Sequence, residues 1–230
     1  MEFRNYLLKA LAAGDLQAIL PRLVEISLEK GQVLFEPDDP VEQVFFPSNA
    51  VLSVVTVMRD GHSVESSTVG HESASPLLWA LSDAPSKSRI FTQIGGAAIR
   101  MPASVLRAVA AESPTLVALL YRHCASLSFQ AEQGVACNIL HEAPARLARW
   151  LLMTQDRTGN RALPLTQEYM SVMTGVQRTT ISAIANLLRG SGLIRFSRGN
   201  VEILDRPSLE AVACECYQAI RSEFDDLQGR

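Results

Sequence analysis

The period of the apolar residues changes once along this chain. From Gly31 to Met101 they come in short β-branched and aromatic runs, whereas from Pro102 onward they recur at helical spacing. Val33, Phe35, Val44, Phe46, Val51, Val54, Val55 and Val57 fall between the turn signals Gly31, Pro37-Asp38-Asp39-Pro40, Pro47-Ser48-Asn49 and Asp60-Gly61. Runs so closely punctuated suit an antiparallel roll or barrel, and Asp60-Gly61 is the strongest hairpin signal among them. A last pair of strands is predicted over Arg89 to Ile94 and Ala97 to Met101. One amphipathic helix, Glu2 to about Leu20, precedes the roll.

The helical part opens with residues 102–114 and continues through a long, largely apolar stretch, Thr115 to Leu140. There Leu116, Leu119, Leu120, His123, Leu127, Gln130, Gly134 and Cys137 approach a helix period. A helix this apolar needs a partner, which is either the roll or a twin helix in a dimer. A further helix starts near Pro144, with Leu147, Trp150, Leu151 and Leu152 predicted inward and Arg146, Arg149 and Arg157 outward. It ends near Thr158-Gly159-Asn160.

The stretch "LTQEYMSVMTGVQRTTISAIANLLRGSGLIRFSRGNVEIL", Leu165 to Leu204, has its own logic. Thr166 can cap a helix over Gln167 to Met173, and Thr174-Gly175-Val176 is the turn. A second helix, Gln177 to about Arg189, places Ile181, Ile184, Leu187 and Leu188 toward the core. Its other face offers Gln177, Arg178, Thr179, Ser182 and Asn186. Arg can bond a guanine edge twice and Gln or Asn an adenine edge, which suits the major groove. The small residues Ser182 and Ala183 would let the helix come close. Two strands around Arg198-Gly199-Asn200 then form a wing offering Arg195 and Arg198 to phosphates. The plainer alternative is a helical hairpin with solvated arginines. Charge favours DNA: residues 144–206 hold nine Arg, no Lys and four acids, a balance of +5 in a chain whose net charge is -3.

Other classes are disfavoured. With 47% apolar residues a sizeable core is expected, and no run reaches the ~20 apolar residues of a membrane span. The N-terminus mixes charges with an amphipathic period, unlike a signal peptide, so a cytoplasmic protein is expected. Of the four cysteines, Cys124 and Cys137 lie in helical pattern while Cys214 and Cys216 sit two apart; none has C-x-x-C spacing, and buried, idle thiols with no metal site are expected. His62, His71, His123 and His141 lie in unrelated contexts, and no P-loop or G-x-S-x-G motif occurs, so no enzyme and no cofactor are expected.

The order of elements, and "GVQRTTISAIANLLRGSGLI" and "LEKGQVLFEPDDPVEQVFFPSNAVLSV" in particular, resembles the Crp/Fnr transcriptional regulators over nearly the whole chain. The resemblance implies an α+β chain: a β-roll of the cyclic-nucleotide-binding, jelly-roll type over residues 1–113, a dimerisation helix over 114–141, and a winged helix-turn-helix with a C-terminal helix over 142–230. It implies a homodimer reading an inverted repeat in double-stranded DNA, with RNA polymerase as a further partner. In the family an Arg in the first turn of the recognition helix contacts a guanine, and Arg178 matches it. The family's following Glu is Thr179 here, and a second Arg of the cyclic AMP receptor protein is Ala183, so that protein's operator does not transfer. The family's phosphate-binding Arg is followed by Ser or Thr, but Arg89 is followed by Ile90; Gly70-His71-Glu72 matches the ribose loop only with an inserted residue, and Leu77, Leu78 and Trp79 add apolar bulk. A regulator independent of cyclic AMP is therefore expected, and its effector is unknown. The first cysteine, Cys124, also lies far from the N-terminal cluster of the iron-sulfur branch. The competing reading is a small-molecule or redox sensor whose winged helix serves a protein partner.

Overall fold

The computed structural model of the chain describes residues 3–197 and 199–227. Arg198, expected at the tip of the wing, lies outside the described residues.

Two short helices, α1 (Tyr6–Lys9) and α2 (Ala13–Ile19), stand where one amphipathic helix was expected, followed by a 3-10 turn at Leu20–Arg22. The break has a local cause. Asn5 caps α1 by accepting a hydrogen bond from the Leu8 amide, and its own amide donates to the Pro47 and Ser73 carbonyls at 3.0 and 2.7 Å. This pins α1 to the roll with the adjacent Leu7 and Leu8 both buried, and the chain turns after Ala10.

The roll consists of β1 (Val24–Leu28), β2 (Val33–Phe35), β3 (Gln43–Pro47), β4 (Val51–Val57), β5 (Ser63–Val69), helix α3 (Leu77–Ser82), β6 (Arg89–Ile94) and β7 (Gly96–Pro102). They form two antiparallel sheets, ordered β1-β7-β3 and β2-β6-β4-β5. The β4–β5 hairpin turns at Asp60-Gly61 as expected, with Val57 opposite Ser63 and Gly61 at φ +86°. Leu28, Phe35, Phe46, Leu52, Val69, Ile90, Ile99 and Met101 share one core between the sheets. The start of β4 is buried on both faces, because Leu52 enters that core while Val51 joins a second one behind it.

Helix α4 (Ala103–Glu112) leads into α5 (Pro114–Leu140). Ser113 caps α5 by accepting from the Leu116 amide at 3.1 Å, and Pro114 takes the first helical position, where no amide is needed. At 27 residues α5 is about 40 Å long. Its stripe Leu116, Leu120, His123, Gln130 and Cys137 is buried against the rest of the same chain. Of the two partners left open for this helix, the roll takes Leu120, which is 2% exposed in the roll core.

The remaining elements are α6 (Ala143–Thr158), β8 (Ala162–Leu163), α7 (Gln167–Thr174), α8 (Arg178–Gly190), β9 (Ile194–Ser197), β10 (Asn200–Ile203), α9 (Arg206–Val212) and α10 (Cys216–Leu227). β8, β10 and β9 make a three-stranded wing sheet. Leu147, Leu151, Leu165, Met170, Ile181, Leu188, Val201, Ile203 and Leu209 form the second core, which also takes Val51 and Ile94 from the roll.

Candidate nucleic-acid interface

The helix pair is built as its sequence requires. Thr166 accepts from the Tyr169 amide at 3.2 Å and so satisfies one free donor of α7. Gly175 closes α7 at φ +64°, a left-handed conformation that a side chain would strain. Val176 is 9% exposed and anchors the turn. α8 starts after Gln177 and buries Ile181, Ile184, Ala185 and Leu188.

The outer face of α8 carries most of the expected contacts. Gln177, Arg178, Thr179 and Asn186 are exposed, and so is Thr180, which was not among the expected contacts. Ser182 is only half-exposed, and its hydroxyl lies 2.9 Å from both Gln167 Oε1 and the Arg178 carbonyl oxygen. It braces α8 against α7 before it could meet a base. Leu187 was expected in the core but is 60% exposed, because Ile184 and Leu188 already fill the buried direction of the helix. Its side chain adds an apolar surface of the kind that touches a thymine methyl.

The wing is more nearly neutral than its arginines suggest. Arg195 is exposed, but Glu202 stands opposite it across the ladder with Nη1 and Oε2 2.6 Å apart. The ion pair leaves the Arg195 guanidinium less available to an outside anion than an unpaired arginine would be.

In the roll, Glu72 is committed elsewhere. It forms a buried ion pair with Arg157 of α6, Nε to Oε1 2.6 Å, and accepts from the Gly70 amide at 3.0 Å. Arg157 was expected to face outward; it is 5% exposed, and its Nη2 donates to Gln130 Oε1 of α5 at 2.6 Å. Burial raises the Glu72 carboxyl, but the Arg157 guanidinium outweighs it and holds the group below its ordinary range. Gly70 is required here, since a Cβ would stand 2.6 Å from Arg157 Cγ. Burial also lowers His71 and brings His123 down to about 4.

Between the roll and α5 is a cavity of about 220 Å³ whose lining includes Val54, Ser67, Leu77, Trp79, Ile90 and Cys124, with no cationic side chain. Arg89 does not line it and lies 3.3 Å from Glu36, and Lys87 pairs with Asp38 at 2.6 Å. Leu77 is buried as expected, but Leu78 is 57% exposed.

The cysteines, expected as unrelated buried thiols, do not stay apart. Cys137, Cys214 and Cys216 gather around His141, while Cys124, on α5, packs against the roll core with its thiol pushed up to about 11 by burial. Among the described residues no helix is long and apolar enough to cross a membrane.

Residues 145–212 match the model of the Crp-like helix-turn-helix domain. No curated protein matches the chain. Solved structures of similar fold include FixK2 from Bradyrhizobium japonicum, at 16% identity and a TM-score of 0.68 over 84% of this chain and 98% of that one. A CRP-family transcriptional regulator from Thermus thermophilus shares 18% identity, with a TM-score of 0.69 over 82% of this chain and 96% of that one. CLP, a c-di-GMP responsive global regulator from Xanthomonas campestris, shares 11%, with a TM-score of 0.68 over 84% and 100%. The chain thus carries a Crp-like helix-turn-helix domain at residues 145–212, set in the fold of the Crp/Fnr transcriptional regulators.

Proposed function

We propose that the protein is a transcriptional regulator, not an enzyme, that binds an inverted-repeat operator as a homodimer and does so without cyclic AMP. The observation that carries this is the outer face of α8, where Gln177, Arg178, Thr179 and Asn186 stand exposed on a helix held rigidly by its buried side. Those groups have the donor and acceptor chemistry of base edges, and Arg189, exposed in the last turn of the same helix, adds positive charge.

The homodimer is supported by α5. Ala118, Tyr121, Ala125, Ser128, Glu132, Val135 and Ile139 are all exposed and follow one another at alternating steps of three and four. That is the repeat of a coiled-coil seam, with small residues at its middle that permit close approach. A twin helix packed there would cover Tyr121, Val135 and Ile139, which are 68, 62 and 76% exposed. Independence from cyclic AMP is supported by the cavity beside α5, whose walls offer no cation to a buried phosphate, and by Glu72, whose carboxylate already serves Arg157.

Selection of bound duplexes from a random DNA library by the full chain tests the reading. The expected product is an inverted repeat with half-sites about one helical turn, ~10 bp, apart. Failure to enrich any sequence would overturn it in favour of a sensor whose winged helix serves a protein. Calorimetry with cyclic AMP tests the effector: micromolar binding that tightens operator binding would overturn that part alone.

A further inference from the structure

Four side chains from three places in the sequence meet where α5 ends. Cys137 lies in the last turn of α5, and His141 follows as its cap in extended backbone, φ -110° and ψ 146°. Cys214 lies between α9 and α10, and Cys216 opens α10. The Cys137 and Cys214 sulfurs are 3.5 Å apart, and the Cys216 sulfur is 3.5 Å from His141 Nδ1. All four ligand atoms lie within 4.8 Å of one another.

We propose that Cys137, His141, Cys214 and Cys216 form a binding site for one thiophilic divalent metal ion, zinc being the best fit. Zinc holds sulfur at ~2.3 Å and imidazole nitrogen at ~2.0–2.1 Å in a tetrahedron, whose edges are then about 3.8 Å between sulfurs and about 3.6 Å from sulfur to nitrogen. Two distances of the cluster already stand near those edges. The others are no longer than 4.8 Å.

The surroundings also suit a metal. His141 Nε2, the nitrogen pointing away from the thiols, lies 3.1 Å from the Glu215 carboxylate, the partner that fixes the tautomer and orientation of a metal-binding imidazole. Gln133 Nε2 donates to the Cys216 sulfur at 3.2 Å, a bond that would stabilise a thiolate. All three cysteines are buried, at 0, 7 and 0% exposure, while His141 keeps a solvent-facing edge through which an ion could enter. A disulfide between Cys137 and Cys214 would use neither the imidazole nor the carboxylate. Three thiols and one imidazole select zinc over magnesium or calcium, which require oxygen.

The position gives the site a consequence. Residues 141–142 connect α5 to α6 along the chain, and the metal would tie the end of α5 to α10 beside that connection. It would thereby fix the C-terminal helices on the helix that precedes the DNA-binding half.

The test uses the full chain, purified under reducing conditions without chelator. Elemental analysis should give one zinc per chain in the parent and in the control Cys124→Ser, and little in Cys214→Ser or His141→Ala. Cobalt added to chelator-stripped parent protein should give strong visible bands and sulfur-to-metal charge transfer that saturate at one equivalent and vanish when zinc is added. Should a variant fail to fold, alkylation of the parent decides: zinc should slow the reaction of Cys137, Cys214 and Cys216 and leave the slow reaction of the half-buried Cys124 unchanged. A parent that takes up no cobalt with its thiols reduced would overturn the site. So would cobalt bands that persist in Cys214→Ser, zinc that leaves all four cysteines as reactive as before, or protein that carries iron and sulfide in place of zinc.

Discussion

Arg157 and Arg178 are chemically identical and are put to opposite uses. Arg157 is enclosed by Glu72 and Gln130, and a charge so buried is tolerable only while its partner stays. Glu72→Ala should therefore destabilise the protein by ~3–5 kcal/mol in urea unfolding, while replacing both Glu72 and Arg157 by apolar residues should lose much less. Equal losses in the single and double variants would refute the pairing. Nothing in the sequence marks Arg157 as different from Arg146 or Arg149, because its partner is 85 residues away and only the folded roll brings Glu72 to α6. Arg178 is legible, since a first-turn Arg opposite the buried stripe of α8 must face solvent. Arg178→Ala should weaken binding to the selected operator by ~1–3 kcal/mol and leave binding to random duplex nearly unchanged. Parallel losses on both in a gel-shift titration would mean that the side chain meets a phosphate instead of a base.

At the level of elements, α5 shows what periodicity reveals and what it conceals. Its start follows from Ser113-Pro114, and its length from the unbroken helical run to Leu140. Which of its faces meets the roll is not legible, because both stripes mix apolar and polar residues: His123 and Gln130 are buried, whereas Tyr121, Val135 and Ile139 are exposed. His123 and Gln130 are tolerated inside because Ser73, Thr68 and Arg157 meet them there. The two faces predict different failures. Val135→Asp together with Ile139→Asp should yield a folded monomer by light scattering that binds the operator poorly, since each half-site contact is then made alone. Leu120→Asp should instead lose the fold, because it places a charge in the roll core. A dimer that survives the first pair of substitutions would place the interface elsewhere. The β-roll is the more legible element set: the turn signals separate β2 to β5, and the last strand pair is placed to within a residue, whereas β1, which precedes the first turn signal and is mostly exposed, was not expected, and a second core covers the start of β4.

Taken whole, the molecule joins its two halves through polar groups as well as through Val51 and Ile94, and the most exacting of these is Glu65. Its carboxyl, on β5, accepts from Ser53 Oγ at 2.6 Å, from Gln93 Nε2 at 2.8 Å and, across the junction, from Trp150 Nε1 of α6 at 2.8 Å. The residue keeps some exposure along its stem, but the carboxyl itself is enclosed. Burial pushes it up from 4.5 to about 7, against the opposing pull of Ser53, Trp150 and Arg157. The folded state thus holds a proton that the unfolded chain releases at lower pH. The sign follows from linkage: the stability Glu65 contributes is fully present below about 4.5 and is lost as pH rises through about 7. Glu72, held low by Arg157, acts with the opposite sign, its contribution being lost as pH falls below its ordinary range, so the parent curve alone does not isolate Glu65. Glu65→Gln, which cannot ionise, does. In chemical unfolding measured at several pH values, its stability relative to the parent should climb between about pH 4.5 and 7 and level off above, because only the parent must then bury a charge at the junction. Parallel curves for the two proteins across that window would show that the carboxyl ionises freely and that the joint between roll and α6 does not sense pH.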